Sequence, residues 1–172
     1  MCAILDASCV SEVFGDGRPD AGEEFFRWVS QGRGRLSVGG KLRVELGRDA
    51  RFVAWAETAL QQGRVVFEDD DKVKACTRKL RTRPEVTSND WHVLALAATS
   101  GARLLYSNDR ALANDFRNPK ILGGQRGKVY STRGHRARGG GSPGPSGALT
   151  RNHRRMLDAA GRACLEWARA RS

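Results

Sequence analysis

Several of the devices that hold small or membrane-bound proteins together are missing from this chain of 172 residues. Its four cysteines (Cys2, Cys9, Cys76, Cys164) form no C-x-x-C pair, and its three histidines (His92, His135, His153) stand at no ligand spacing from them. Neither a disulfide framework nor a structural metal is therefore expected, and the cysteines read as small core hydrophobes. The chain is long enough for one domain that buries most of the surface its unfolded form would expose. No run approaches the roughly 18 apolar residues of a membrane span. Too few residues precede the acidic Asp6 for a charged n-region and an apolar h-region, so a cytoplasmic location without membrane attachment is expected.

Acidic residues are also in short supply. Asp and Glu number 19 against 30 Lys and Arg, which leaves a formal charge of +11. The last forty residues, Arg133 to Ser172, hold nine arginines and two acids, or +7, and the other 132 residues carry +4. An excess of this sign suits a polyphosphate partner, because each cation set on a phosphate releases a condensed counterion. It serves equally to keep a protein soluble or to dock an acidic protein, and charge alone does not choose.

What the chain does have is alternation. Met1–Leu5, Arg35–Val38, Arg64–Phe67 and Arg103–Tyr106 are short apolar runs bounded by turn formers and read as strands, with a last strand at Lys120–Leu122 or Lys128–Tyr130. Helical spacing is expected over Ala7–Phe14, Asp20–Gln31, the stretch carrying Leu42, Val44, Glu45 and Leu46, and Asp69–Lys79. It is also expected over Arg51–Gln62, with Phe52, Val53, Trp55, Ala56, Ala59 and Leu60 inward. Two further helices open at Asp90 and at Asp109, the first ending at Gly101. Strands separated by helices imply right-handed crossovers and a mostly parallel sheet of four to five strands covered on both faces, an α/β fold in three layers. The working crevice of such a sheet lies beyond the carboxyl ends of its strands.

Asp6 and Asp109 follow the first and fourth strands directly. Asp90 opens the helix that leads into the fourth strand, and Glu45 lies on the helix after the second. Taken singly, Asp6, Asp90 and Asp109 are good helix caps, each worth about 0.5–2 kcal/mol, and Glu45 is an ordinary helical acid. Together at one sheet end they would repel one another and raise each other's pKa unless a cation joined them. Hard oxygen donors of this kind suit Mg²⁺ or Mn²⁺. A receiver domain needs an acidic pair after its first strand and a haloacid dehalogenase-like phosphatase needs Asp-x-Asp there; only Asp6 is acidic, and position 8 is Ser8.

The ILDAS segment at the N-terminus, a helix with VEL, and SNDWHVLALAATSGARLLYSNDRAL in the last third resemble the PIN domain, a metal-dependent ribonuclease family that includes the VapC-type toxins of bacterial toxin and antitoxin pairs. The resemblance covers residues 1–132. It implies that Asp6, Glu45, Asp90 and Asp109 are catalytic and hold one or two Mg²⁺ or Mn²⁺ ions, that Asn108 orients a metal-bound water, and that RNA phosphodiesters are the substrate. Arg43, Arg48 and Arg110, close in sequence to these acids, are candidates for the phosphate path. An antitoxin protein and a second copy of the chain are the protein partners the resemblance suggests. A non-catalytic PIN-like scaffold that binds RNA or a protein is the alternative; it would keep the basic surface and lack metal dependence.

Residues 133–148 are rich in Gly, Arg, Ser and Pro and are expected to be a flexible linker. Residues 149–172 are expected to form a basic helix with Met156, Leu157, Ala160, Cys164 and Trp167 on one face.

Overall fold

The computed structural model describes residues 2–132 and Leu157. Five strands, β1 (Ala3–Leu5), β2 (Leu36–Val38), β3 (Val65–Phe67), β4 (Leu104–Tyr106) and β5 (Lys128–Tyr130), form one sheet in the order β3-β2-β1-β4-β5. Every pairing is parallel. The strands are only three residues long, and the three central ones are buried throughout, as a sheet covered on both faces requires.

The helices are α1 (Val10–Phe14), α2 (Asp20–Ser30), α3 (Gly40–Leu46), α4 (Ala50–Gln61), α5 (Asp70–Arg81), α6 (Trp91–Ser100) and α7 (Arg110–Arg117). Crossovers toward the β3 edge and toward the β5 edge fall on opposite faces when all are right-handed. In keeping with this, α1 packs with α2 and α4, while α6 packs with α5 and α7. The element α3 precedes α4 in the chain but packs against α5 and α6. Gly40 sets that course: its φ is +56°, its amide donates to Asp70 Oδ1 at 2.7 Å, and a Cβ there would lie 2.9 Å from Val73 Cγ1.

Several boundaries differ from the pattern expected. The segment after β1 starts as a 3₁₀ turn, Ala7–Cys9, before α1 begins. Asp6 caps that turn by accepting from the Ser8 amide at 3.1 Å. Of the two candidates for the last strand, Lys128–Tyr130 is the one that pairs with β4. Ile121 and Leu122 are buried all the same, in a turn where both amides donate to the Asn118 carbonyl. On α4, Val53 and Leu60 are 37% and 46% exposed rather than inward. The buried stripe runs through Phe52 and Ala59 with Trp55 and Ala56 half-buried, and positions 53 and 60 lie one residue, about 100°, off it.

The core is continuous across both faces of the sheet. Cys2 and Cys9 are buried in it, and burial lifts the Cys9 thiol to about 11, so both act as small hydrophobes. Cys164 lies outside the described residues, as do the expected linker over 133–148 and all of the expected helix over 149–172 except Leu157. That residue is helical, 3% exposed, and belongs to the core. The Trp28 indole N–H donates to its carbonyl at 3.0 Å. Among the described residues no helix is long and apolar enough to cross a membrane.

Candidate functional site

The sheet register delivers two of the acids to one place. Leu5 and Tyr106 are paired across β1 and β4, so the next residues, Asp6 and Ser107, emerge side by side at the carboxyl end. Ser107 Oγ donates to Asp6 Oδ2 at 2.6 Å and accepts from the Asp109 amide at 3.1 Å. A single hydroxyl thus ties the first acid to the backbone of the fourth. Asp109 itself is exposed and caps α7, its Oδ1 accepting from the Leu112 amide at 2.7 Å. Asp6 is 8% exposed.

Glu45 reaches the same end of the sheet because α3 leans on α6. Its Oε2 lies 2.9 Å from His92 Nε2, and its Oε1 accepts from Lys41 Nζ at 3.0 Å. Burial would push its pKa up, but Lys41 and His92 outweigh that and hold the carboxyl below its usual range. Glu45 is therefore a firmly ionised, oriented carboxylate.

Asp90 is different in kind. It occupies the N-cap of α6, yet its side chain makes no capping hydrogen bond. It is half-buried, and its pKa is raised, first by burial and then by the charge of Asp6, with Asp109 and Glu45 adding to the effect and His92 opposing it. All three of the other acids are thus close enough to disfavour its charge. The four carboxylates share one end of one sheet, and Asp90 carries the electrostatic penalty of the gathering.

Among the described residues no group of three or more His, Cys, Asp or Glu side chains is placed so that it could hold a metal ion as it stands. Three of the acids are engaged by the protein instead: Asp6 by Ser8 and Ser107, Glu45 by Lys41 and His92, and Asp109 by Leu112. The donor set is nevertheless one of hard oxygens with one carboxylate left over, which fits Mg²⁺ or Mn²⁺.

Asn108, half-buried, is engaged by the protein itself. Its Nδ2 donates to Glu12 Oε1 at 2.7 Å, and its Oδ1 accepts from Ser131 Oγ at 2.7 Å and Thr132 Oγ1 at 2.9 Å. Glu12 Oε2 also accepts from Tyr106 OH at 3.0 Å and Thr132 Oγ1 at 2.7 Å. This network laces α1 to the ends of β4 and β5. Of the three arginines, Arg43 pairs with Asp70 at 2.9 Å and lies over the Phe67 ring, whereas Arg48 and Arg110 are exposed and have no ion-pair partner among the described residues.

Four residues at this end of the sheet were not legible as site components: Glu12, His92, Ser107 and Asp115. Asp115 is 3% exposed and accepts from the Thr87 amide (3.0 Å), the Ser88 amide (2.7 Å) and Thr87 Oγ1 (2.9 Å). It clasps the loop that carries Asp90 to the helix capped by Asp109. Asp115→Ala is expected to cost about 3 kcal/mol, because three donors lose a buried charged acceptor. Faster amide hydrogen exchange at Thr87 and Ser88, together with a lower melting temperature, would be the signature; unchanged exchange at both amides would contradict the clasp.

In comparison with known proteins, no protein-family model and no curated sequence matches this chain.

Proposed function

We propose that the chain is a cytoplasmic, Mg²⁺- or Mn²⁺-dependent ribonuclease of the PIN type. The observation that carries this reading is Asp90: a half-buried carboxylate without a capping hydrogen bond, raised in pKa first by burial and then by the neighbouring charges of Asp6, Asp109 and Glu45. Such an arrangement costs stability and gains nothing until a cation joins it. The ion would be held by Asp90, Asp6 and Asp109, with Glu45 direct or through water. When bound, it would acidify a water and offset charge developing on the phosphoryl oxygens.

The chain's own groups supply the rest. Ser107 keeps the Asp6 carboxylate turned toward the Asp109 backbone. His92 and Lys41 keep Glu45 ionised, so that it can accept a proton from an attacking water at its carboxylate. Exposed Arg48 and Arg110 stand free for phosphate oxygens.

Purified protein incubated with total RNA is expected to cleave it with Mn²⁺ or Mg²⁺ and not with EDTA. Absence of metal-dependent cleavage on any RNA would turn the assignment toward a PIN-like scaffold that binds RNA or a protein.

A further inference from the structure

Next to Asp90 lies a surface that the metal site does not use. The indole of Trp91, the first residue of α6, is half-buried, and its N–H makes no hydrogen bond among the described residues. That N–H is not among the buried polar atoms left without a partner, so it is open to solvent. The Arg81 guanidinium lies over the ring, 5.0 Å from its centroid. Arg81 ends α5 together with Arg78 and Lys79, and all three are exposed. None of the three has an ion-pair partner among the described residues. A helix C-terminus favours basic residues through its dipole, which accounts for their sign. Trp91 packs in part against the hydrophobic core, and the rest of its ring lies under Arg81 beside the acids.

We propose that Trp91 and Arg81 form a stacking ledge for one unpaired nucleobase beside the scissile phosphate, a contact that positions the substrate strand on this chain. The base lies on the indole in place of the guanidinium, and Arg81, with Arg78 and Lys79, turns to the flanking phosphates. Stacking on an aromatic ring is open to every base but needs an exposed π-face, which a duplex does not offer. The Asp90–Trp91 adjacency then sets the distance from base to cut. The identity of the carboxylates beside the ledge rests on the nuclease reading; the ledge itself binds with or without metal.

The test uses the full chain in EDTA, where cleavage cannot intervene, and measures fluorescence anisotropy of a labelled single-stranded oligoribonucleotide and of the same strand annealed to its complement. The single strand is expected to bind about tenfold more tightly than the duplex, and Trp91→Ala to lose about tenfold for the single strand alone. Trp91→Phe should restore most of that loss and should melt as the wild type does, which separates stacking from packing. Arg81→Gln should weaken binding and lower the slope of log affinity against log salt by about one phosphate contact. Equal binding of single strand and duplex, an equal loss on both in Trp91→Ala, or no binding of either would overturn the proposal. Single-strand binding that depends on Trp91, in a protein that shows no metal-dependent cleavage, would uphold the ledge while removing the nuclease reading.

Discussion

Asp90→Asn is expected to raise the melting temperature of the metal-free protein and, in the same molecule, to abolish cleavage by at least about a thousandfold, or about 4 kcal/mol of barrier. The two effects share one origin. The Asp90 carboxylate makes no capping bond that an amide could lose, and its charge is disfavoured by burial and by Asp6, Asp109 and Glu45. An amide removes the penalty and also the charge that a cation needs. The pH dependence follows with its sign. A folded-state pKa above the unfolded value means that the folded form binds the proton more tightly, so this residue's contribution to stability grows as pH falls through the folded pKa. That contribution should vanish in the variant. Addition of Mn²⁺ to a hundred times its dissociation constant should stabilise the wild type by about 2.7 kcal/mol and leave Asp90→Asn nearly unmoved. Asp6→Asn and Asp109→Asn should lose cleavage too, but without the gain in stability, because asparagine caps almost as well as aspartate. A variant at position 90 that melts lower than the wild type and still responds to Mn²⁺ would contradict the metal site.

Leu157→Ala should destabilise the protein by about 3 kcal/mol, the usual consequence of emptying a fully buried leucine site. At this chain length that lowers the melting temperature by about 6–12 °C. Removal of residues 133–172 should cost more, since it also deprives Trp28 of the carbonyl that its indole N–H now engages. Charge and composition alone would have the sheet indifferent to everything after residue 132. The burial of Leu157 within the core says otherwise. Thermal melting of the point variant and of the truncated chain, compared with the full chain, decides the matter, and identical melting of all three would show that the contact carries no weight.

The strands were legible because each is a short apolar run closed off by turn formers, and the placing of Asp6 and Asp109 followed from parallel topology alone. Choosing between Lys120–Leu122 and Lys128–Tyr130 was not possible from the sequence, because both segments bury apolar side chains and only pairing with β4 separates them. His92 looked like any histidine on an apolar helix; its role depends on α3 crossing to α6, which Gly40 and Asp70 bring about from distant positions. Asp115 carries no signal in the sequence, since nothing local reveals that Thr87 and Ser88 fold over it. Asp90 was legible as a helix cap and, in company with the other acids, as a candidate metal ligand. The missing bond, which gives the residue its chemical interest, exists in three dimensions alone.

The hydroxyl bridge from Ser107 to Asp6 joins residues 101 apart in the chain. On the ribosome, Asp6 emerges long before the strand that must lie beside it, β4, which follows β1, β2 and β3 in the chain. Contacts of such sequence separation form late, after the local helices and the β1–β2–β3 side of the sheet have had time to assemble. A nascent or prematurely terminated chain that stops short of β4 therefore carries Asp6 and Glu45 but none of their later companions. Under the ribonuclease reading proposed above, an unfinished copy of this protein would lack the complete set of acids and could not cut the message from which it is being translated.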